Sequence, residues 1–462
     1  MMPAFAPNPR LRPHVYEDAL PMKLFLLLIG AGCFWEIRII GAFTIAEIAL
    51  LGLAVFHLKD LRTLFAGKIG RTVLLLAGVW FVSQVATDLY RATPFRDWSR
   101  GWGRIVIWTA NFSTLYLWLH GNLKRAAWLI AGFALGLIAY ACLRIGYWHA
   151  GALWKFGFAL PTLYICGLIF ARWPGSPLYG LALLGLAGAG LALSFRSYSG
   201  VCVAALGLWI VWLFMRNREH PHAVRKLGWM LAGASAIALA LGVFFYSTLA
   251  LNNAFGDDER YRTQEQMRRG VGLLGNSTLG EPIGLIAGAR GEFLVAIRAV
   301  ADSPLLGHGS WAKNPLYNEL WMTMAGEAHI SEVRVAQVEL VEPGLIPSHS
   351  HVLGAWVDAG VGGGVFWIYA IGLCYAVLAL SLCTRQPLTT YLLPIYSLFL
   401  WDIFFSPFST QSRLFSAFYI ALAACLLERH FARLNATVGS AAAPVRTLFA
   451  PVSAQPPFRS PR

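Results

Sequence analysis

The chain has 462 residues, 57% of them hydrophobic and only 13% charged, with a formal net charge of +14. Soluble domains carry about 25% charged residues, so this composition excludes a soluble globular protein. The basic excess suits nucleic acid or membrane phosphates, and a mean hydropathy of +0.57 favours the membrane.

Long apolar runs without period-two alternation exclude a barrel and leave helices, which satisfy their backbone groups within each segment. About twelve transmembrane helices are predicted, near 22–39, 42–58, 72–88, 104–120, 126–144, 153–171, 178–195, 200–215, 228–250, 351–383, 390–406 and 412–427. The tenth is long, and its start suits a separate half-helix. The first 23 residues are long and polar for a signal peptide, and Gly30 stands where a lipoprotein box ending at Cys33 needs an apolar residue. Residues 24–40 therefore read as a retained span.

Four regions follow. Residues 1–250 form an N-terminal bundle of about nine helices, 251–348 one large loop module, 349–434 about three further helices, and 435–462 a tail rich in Ala, Pro and Ser that is expected to be disordered. With a cytoplasmic N-terminus, the inner loops and tails hold 20 of the 37 Lys and Arg residues, the short outer loops hold 9, and the long segment holds 8. That bias predicts both termini inside and the long loop outside.

A loop of this length is expected to carry structure of its own. RGEFLVAIRAVA, residues 290–301, places Phe293, Leu294, Ile297 and Val300 on one helical face. Asp302, Ser303 and Pro304 end that helix, and GHG at 307–309 makes a tight turn. EVRVAQVEL, residues 332–340, suits strand or helix. The seven cysteines all fall in apolar runs, without C-x-x-C, which argues against a disulfide framework or a zinc site.

Arginines outside run against the charge rule. Arg196, in LSFRSYSG, suits either a snorkelling helix-end residue or an anion clamp, since a guanidinium forks onto two phosphate oxygens. Arg290 opposes the macrodipole of the helix it opens, unless an anion sits there. Arg260, Arg262, Arg268 and Arg269 alternate with Asp257, Asp258, Glu259 and Glu265 and read as a self-paired solvated face. Glu36, Glu47, Asp88 and Asp402, in or near apolar runs, are functional candidates or structural partners of Arg38 or Arg413.

PSHSHVLGAWVDAGVGGG, residues 347–364, sets His349 and His351 about 200° apart on a helix, so they cannot share one partner there. A two-histidine metal site on a helix prefers i, i+4, and no metal is expected. Gly360 and Gly363 follow His349 at eleven and fourteen residues. They provide a smooth seam for a helix or a lipid chain, with His349 at its outer end.

These residues resemble the O-antigen ligase and polymerase superfamily. Its pattern is His, then Asn, Ser or Gln, nine residues, Gly, two residues, then Gly, Thr or Tyr; here these are His349, Ser350, Gly360 and Gly363. GARGEFLVAIRAVADSPLLGHG is similar to the family's outer-loop helix, with Arg290, Pro304, Gly307 and Gly309, and SFRS around Arg196 resembles its arginine between two middle spans. Ser350 stands where Asn is common, and His351 is an extra candidate base.

The resemblance implies an all-α polytopic fold of the GT-C-like kind with one large periplasmic loop, in the bacterial inner membrane. It implies an inverting, metal-independent glycosyltransferase without cofactor or nucleotide. Glycan moves from undecaprenyl pyrophosphate to a hydroxyl of lipid A–core. His349 acts as general base, Arg196 and Arg290 stabilise the leaving diphosphate, and His351, Gly360 and Gly363 contact substrate. A polymerase of the same superfamily differs only in acceptor. A secondary transporter is a further reading, weakened by the asymmetry of the chain.

Overall fold

A computed structural model describes residues 18–38, 41–56, 61–146, 149–216, 221–252, 291–327, 344–386 and 388–441, with isolated positions 257, 260 and 264. The fold is mostly helical. The first half holds α1 Leu20–Ala31, α2 Ile45–Phe56, α3 Leu61–Ala66, α4 Lys68–Tyr90, α5 Phe95–Gly121 and α6 Arg125–Cys142. Then come α7 Ala150–Leu153, α8 Ala159–Phe170, α9 Pro177–Ala192, α10 Arg196–Met215 and α11 Val224–Leu251. After the long loop follow α12 Gly291–Asp302, α13 Pro315–Glu327, α14 His351–Ala359, α15 Val361–Cys383, α16 Thr389–Phe405 and α17 Thr410–Ala441.

Among the described residues six helical stretches are long and apolar enough to cross a membrane: Lys68–Tyr90, Arg125–Cys142, Ala150–Phe170, Arg196–Met215, Val361–Cys383 and Thr410–Ala436. Apolar side chains such as Leu28, Leu178, Leu181 and Phe214 stand on the outside, each more than 60% exposed. Exposed apolar surface of this extent requires a lipid environment. The chain is a membrane-embedded helical protein.

Close packing begins with glycine. Cβ atoms on Gly30 and Gly132 would lie 2.6 Å from the Leu129 carbonyl and 2.3 Å from the Leu27 carbonyl, so α1 and α6 meet backbone to backbone. The core around them is aromatic: Trp80, Trp108, Tyr116, Tyr164, Phe366 and Trp367 are fully buried.

One end of the bundle, the first end, is tied by charge. Arg125 forks onto Asp18, and Arg429 donates to the carbonyls of Leu119 and His120. Glu428 accepts from the Ile69 and Gly70 amides at the start of α4, where a carboxylate also complements the helix dipole. The second end holds the turns before α5 and α10, the residues around α14 and the end of α16. There α12, α13 and α14 share a small core of Val295, Ala296, Ala299, Tyr317, Trp321, Ile346 and Val357.

Several boundaries differ from the sequence expectation. The first span stops at Ala31, and an antiparallel hairpin pairs Glu36–Arg38 with Ala42–Thr44 around Gly41, at φ 129°. Glu36, Arg38 and Gly41 mark this reversal, but the apolar residues on either side hide it from a run-length reading. α5 starts nine residues before the predicted 104, because its first turns mix Trp with Arg and present an interfacial rather than an apolar pattern. The 351–383 helix breaks at Gly360 into α14 and α15, in line with the separate half-helix expected at its start. The face predicted for 290–301 is displaced: Val295, Ala296 and Ala299 are buried, while Ile297 is exposed. Small alanines let α12 lie close to its neighbours, which hydrophobicity alone does not anticipate. α17 continues helical through Ala441, past the expected start of the tail at 435. Residues 332–340 and the paired charges Asp258, Glu259, Arg262, Glu265, Arg268 and Arg269 lie outside the described residues.

Candidate functional site at the second end

The site is organised by the turn between α12 and α13. Gly307 and Gly309 hold φ of 79° and 95°, left-handed values that favour glycine. This turn is bolted to three helices. The His308 and Gly309 amides donate to the carbonyls of Val357 and Asp358 on α14, and the Val361 amide donates to Leu305. Arg91 donates to the Gly307 carbonyl, and Thr87 donates to that of Leu306. Asp88, 3% exposed, accepts from the Ser310 amide and hydroxyl, both at 2.6 Å, and from the Trp102 indole at 2.7 Å. Asp88 is therefore a structural acceptor that fixes the turn.

Gly360 carries the sharpest constraint. Its φ of 61° and ψ of −150° belong to a region essentially reserved for glycine. A Cβ there would sit 2.1 Å from the Leu305 carbonyl, and one on Gly363 would sit 2.2 Å from that of Ala355. The seam read from sequence is thus occupied by the chain's own backbone around these two glycines. His349 precedes α14 instead of lying on it, so the three-turn alignment with Gly360 does not form.

The two histidines differ. His349 is half-buried in the extended segment before α14. His351 opens α14, which is nine residues long and too short to cross a membrane; the histidine is 2% exposed, with its ring 4.9 Å from that of Trp367 and 5.2 Å from that of Phe408. Neither ring nitrogen of His351 has a hydrogen-bond partner. Burial pushes its pKa down to about 3, against a smaller opposing effect of the Pro407 backbone. The ring is a neutral core element, and His349 is the more accessible of the pair.

Ser350 sits between them. Its hydroxyl accepts from the Leu353 amide, capping α14, and donates to the Ile403 carbonyl near the end of α16. Phe293, in the first turn of α12, stacks 5.6 Å from Phe405 at the same helix end. At the far end of α12, Trp356 of α14 donates to the Pro304 carbonyl. α12 and α14 therefore run parallel, and both begin beside the end of α16. Two helix starts at one corner favour negative charge there. Arg290, the residue before Gly291, lies outside the described residues. Arg196 opens α10 half-buried at the second end, where Lys155 stands 5.8 Å over the neighbouring Phe195 ring. No contact between Arg196 and either histidine is found among the described residues.

Sequence reasoning missed Arg104, Asp358 and Trp311. Arg104 pairs with Asp358 and stands over the rings of Trp311 and Phe408, at 5.0 and 5.7 Å. Burial pushes the Asp358 carboxyl up, and Arg104 partly offsets this. Trp311 holds φ of 51°, a strained value for a bulky residue. It is fixed there between Ser310, bound to Asp88, and Ala312, whose carbonyl accepts from the Ile346 amide. Buried polar atoms without partners gather nearby: the indole nitrogens of Trp80 and Trp367, Arg104 Nε, Gln84 Oε1 and both nitrogens of His351. No short pattern marks these residues, since the pairings span more than 200 positions.

The other acidic candidates have structural partners. Glu47 takes Arg413 and Asn111, Glu36 takes Gln411, and Asp402 accepts from Ser406. All seven cysteines are free thiols. Among the described residues no three His, Cys, Asp or Glu side chains are grouped to hold a metal.

The chemistry available at this corner is a half-buried imidazole beside two helix starts, in a basic and aromatic setting. Comparison of the chain with known protein families, with curated proteins and with solved structures finds no match.

Proposed function

We propose that the protein is a membrane glycosyltransferase that passes a glycan from undecaprenyl pyrophosphate to a hydroxyl of lipid A–core, as O-antigen ligases do. In this reading the chain crosses the bacterial inner membrane about twelve times, both termini are cytoplasmic, and the second end is periplasmic. His349 takes the proton from the acceptor hydroxyl as its oxygen attacks the anomeric carbon. The bond from that carbon to the diphosphate oxygen breaks, the anomer inverts, and undecaprenyl pyrophosphate departs with the electron pair. Arg196 and Arg290 stabilise the charge gathered on the diphosphate, an effect that often dominates catalysis in a water-poor site. Gly360 and Gly363 contribute by shaping the backbone.

The observation that carries the reading is the parallel pairing of α12 and α14, with Phe293 against Phe405 and Ser350 on Ile403. It brings two positive helix ends to the segment holding His349, which suits a departing diphosphate. The test is transfer by purified protein supplied with lipid-linked glycan and lipid A–core. A heavier acceptor is expected, independent of chelator and lost in His349→Ala. Elongation of the lipid-linked glycan without change to lipid A–core would instead identify a polymerase, and absence of any product would overturn the reading.

A further inference from the structure

A second site lies at the opposite end of the bundle and owes nothing to the transfer chemistry. Two adjoining clefts of about 650 and 330 Å³ open there, between α8, α9, α10 and the start of α16. They share Gly175 and Arg216. The larger is walled by Ile169, Phe170, Trp173 and Leu178, and the smaller by Trp212 and Arg385.

The charged groups lining these clefts are cationic. Arg216 stands 5.7 Å over the Trp212 ring, and Arg385 Nε donates to the Arg216 carbonyl at 3.4 Å. Among the described residues no carboxylate pairs with either guanidinium. Trp212 is 5% exposed, yet its indole N–H has no acceptor. A buried donor left unused beside two arginines is costly unless an acceptor joins it, and an anion suits that setting. The clefts are held in shape. Trp209 Nε1 donates to the Pro174 carbonyl at 2.8 Å. Gly175 leaves room for the Arg216 guanidinium, since a Cβ there would stand 2.0 Å from its Nη1.

The walls identify the anion's attachment. Ile169, Trp173 and Leu178 are 53%, 62% and 61% exposed, and Leu181 continues the same apolar surface at 62%. A free phosphate has no use for such a wall, whereas an acyl chain does. We infer that Arg216, Arg385 and the Trp212 indole bind the phosphate of an anionic phospholipid whose acyl chains lie along Ile169, Trp173 and Leu178.

The test is native mass spectrometry of the full chain released from mixed micelles of phosphatidylglycerol and phosphatidylcholine with matched acyl chains. Each arginine is expected to contribute about fivefold to retention of the anionic lipid. The preference should fall stepwise in Arg385→Gln and in the double variant with Arg216→Gln, while Arg71→Gln, an exposed arginine at the same end, leaves it unchanged. Trp212→Phe keeps an aromatic face, removes the donor together with the indole's second ring, and should weaken retention severalfold, a readout that holds if the arginine variants fail to fold. Equal retention of both lipids by the wild type, or an unchanged preference in Arg385→Gln and Trp212→Phe, would overturn the site. Displacement of the lipid by millimolar inorganic phosphate would overturn the assignment to a lipid.

Discussion

Arg413 grips Glu47 through both carboxylate oxygens, each contact 2.6 Å, with the carboxylate fully enclosed and the arginine 7% exposed. Asn111 and the Thr44 amide fill the remaining acceptor positions. The pair fastens α2 and the hairpin to α17 across 366 residues of chain. Removing one partner leaves a buried charge unpaired, which costs roughly 3–5 kcal/mol. Glu47→Gln and Arg413→Met should each lower the melting temperature in detergent strongly. The double variant Glu47→Leu/Arg413→Met should recover part of the loss, because no buried charge is left unpaired, although Asn111 and the Thr44 amide lose their acceptor. Additive losses in the double variant would show that the two residues act separately.

His351 predicts an acid limb in stability. Its ring is neutral in the folded protein, with a pKa of about 3 against an ordinary value of 6.5. Between those values the unfolded chain binds the proton and the native chain does not, so stability falls as pH drops. The contribution is complete above about pH 6.5, and at pH 5 roughly 2 kcal/mol of it is lost. His351→Phe removes two unpartnered nitrogens from an aromatic cage. It should flatten the decline in melting temperature between pH 7 and 5 while leaving the value at pH 7 near that of the wild type. An acid limb that persists in the variant would assign it to another group.

Much of the helix count was legible because hydrophobic run length is a local property. The 307–309 turn was equally legible, since two glycines after Pro304 leave little alternative. The sequence also separates His349 and His351, but it does not say which ring is enclosed. That depends on Trp367 and Phe408, sixteen and fifty-seven residues downstream of His351. The Arg104–Asp358 pair and the latch of Asp88 on Ser310 join helices that periodicity describes separately. Glycine spacing misled for a related reason. A small residue at 360 reads as a groove for a partner, whereas its backbone angles show a kink that admits the chain's own residue 305.

That kink gives a contrast between two glycines. Gly360→Ala places a Cβ against the Leu305 carbonyl at an unfavourable φ, with backbone on both sides unable to yield. A Cβ on Gly372, in the middle of α15, would meet nothing within 4 Å, and Ala is favoured over Gly in a helix by about 1 kcal/mol. Gly360→Ala should reduce the yield of folded protein and its melting temperature sharply, and Gly372→Ala should hold or raise both. Tolerance of alanine at 360 would mean that the α14–α15 junction is not fixed by the turn at 305–307.

The proposed chemistry divides His349 from Arg196 kinetically. A general base contributes about 10²–10⁴ to rate, and its loss leaves ground-state contacts in place. His349→Gln should therefore depress kcat by that order with little change in KM for either substrate. Arg196→Lys retains the charge but not the planar fork, and a clamp on a departing diphosphate should lose kcat as well, because that charge develops only as the bond breaks. A purely interfacial arginine would tolerate lysine, since either side chain reaches water from a helix end. The two variants thus read different steps in one assay. Full activity in Arg196→Lys with a large defect in His349→Gln would keep the base and remove the clamp. The converse would leave the clamp and require another proton acceptor at the start of α14.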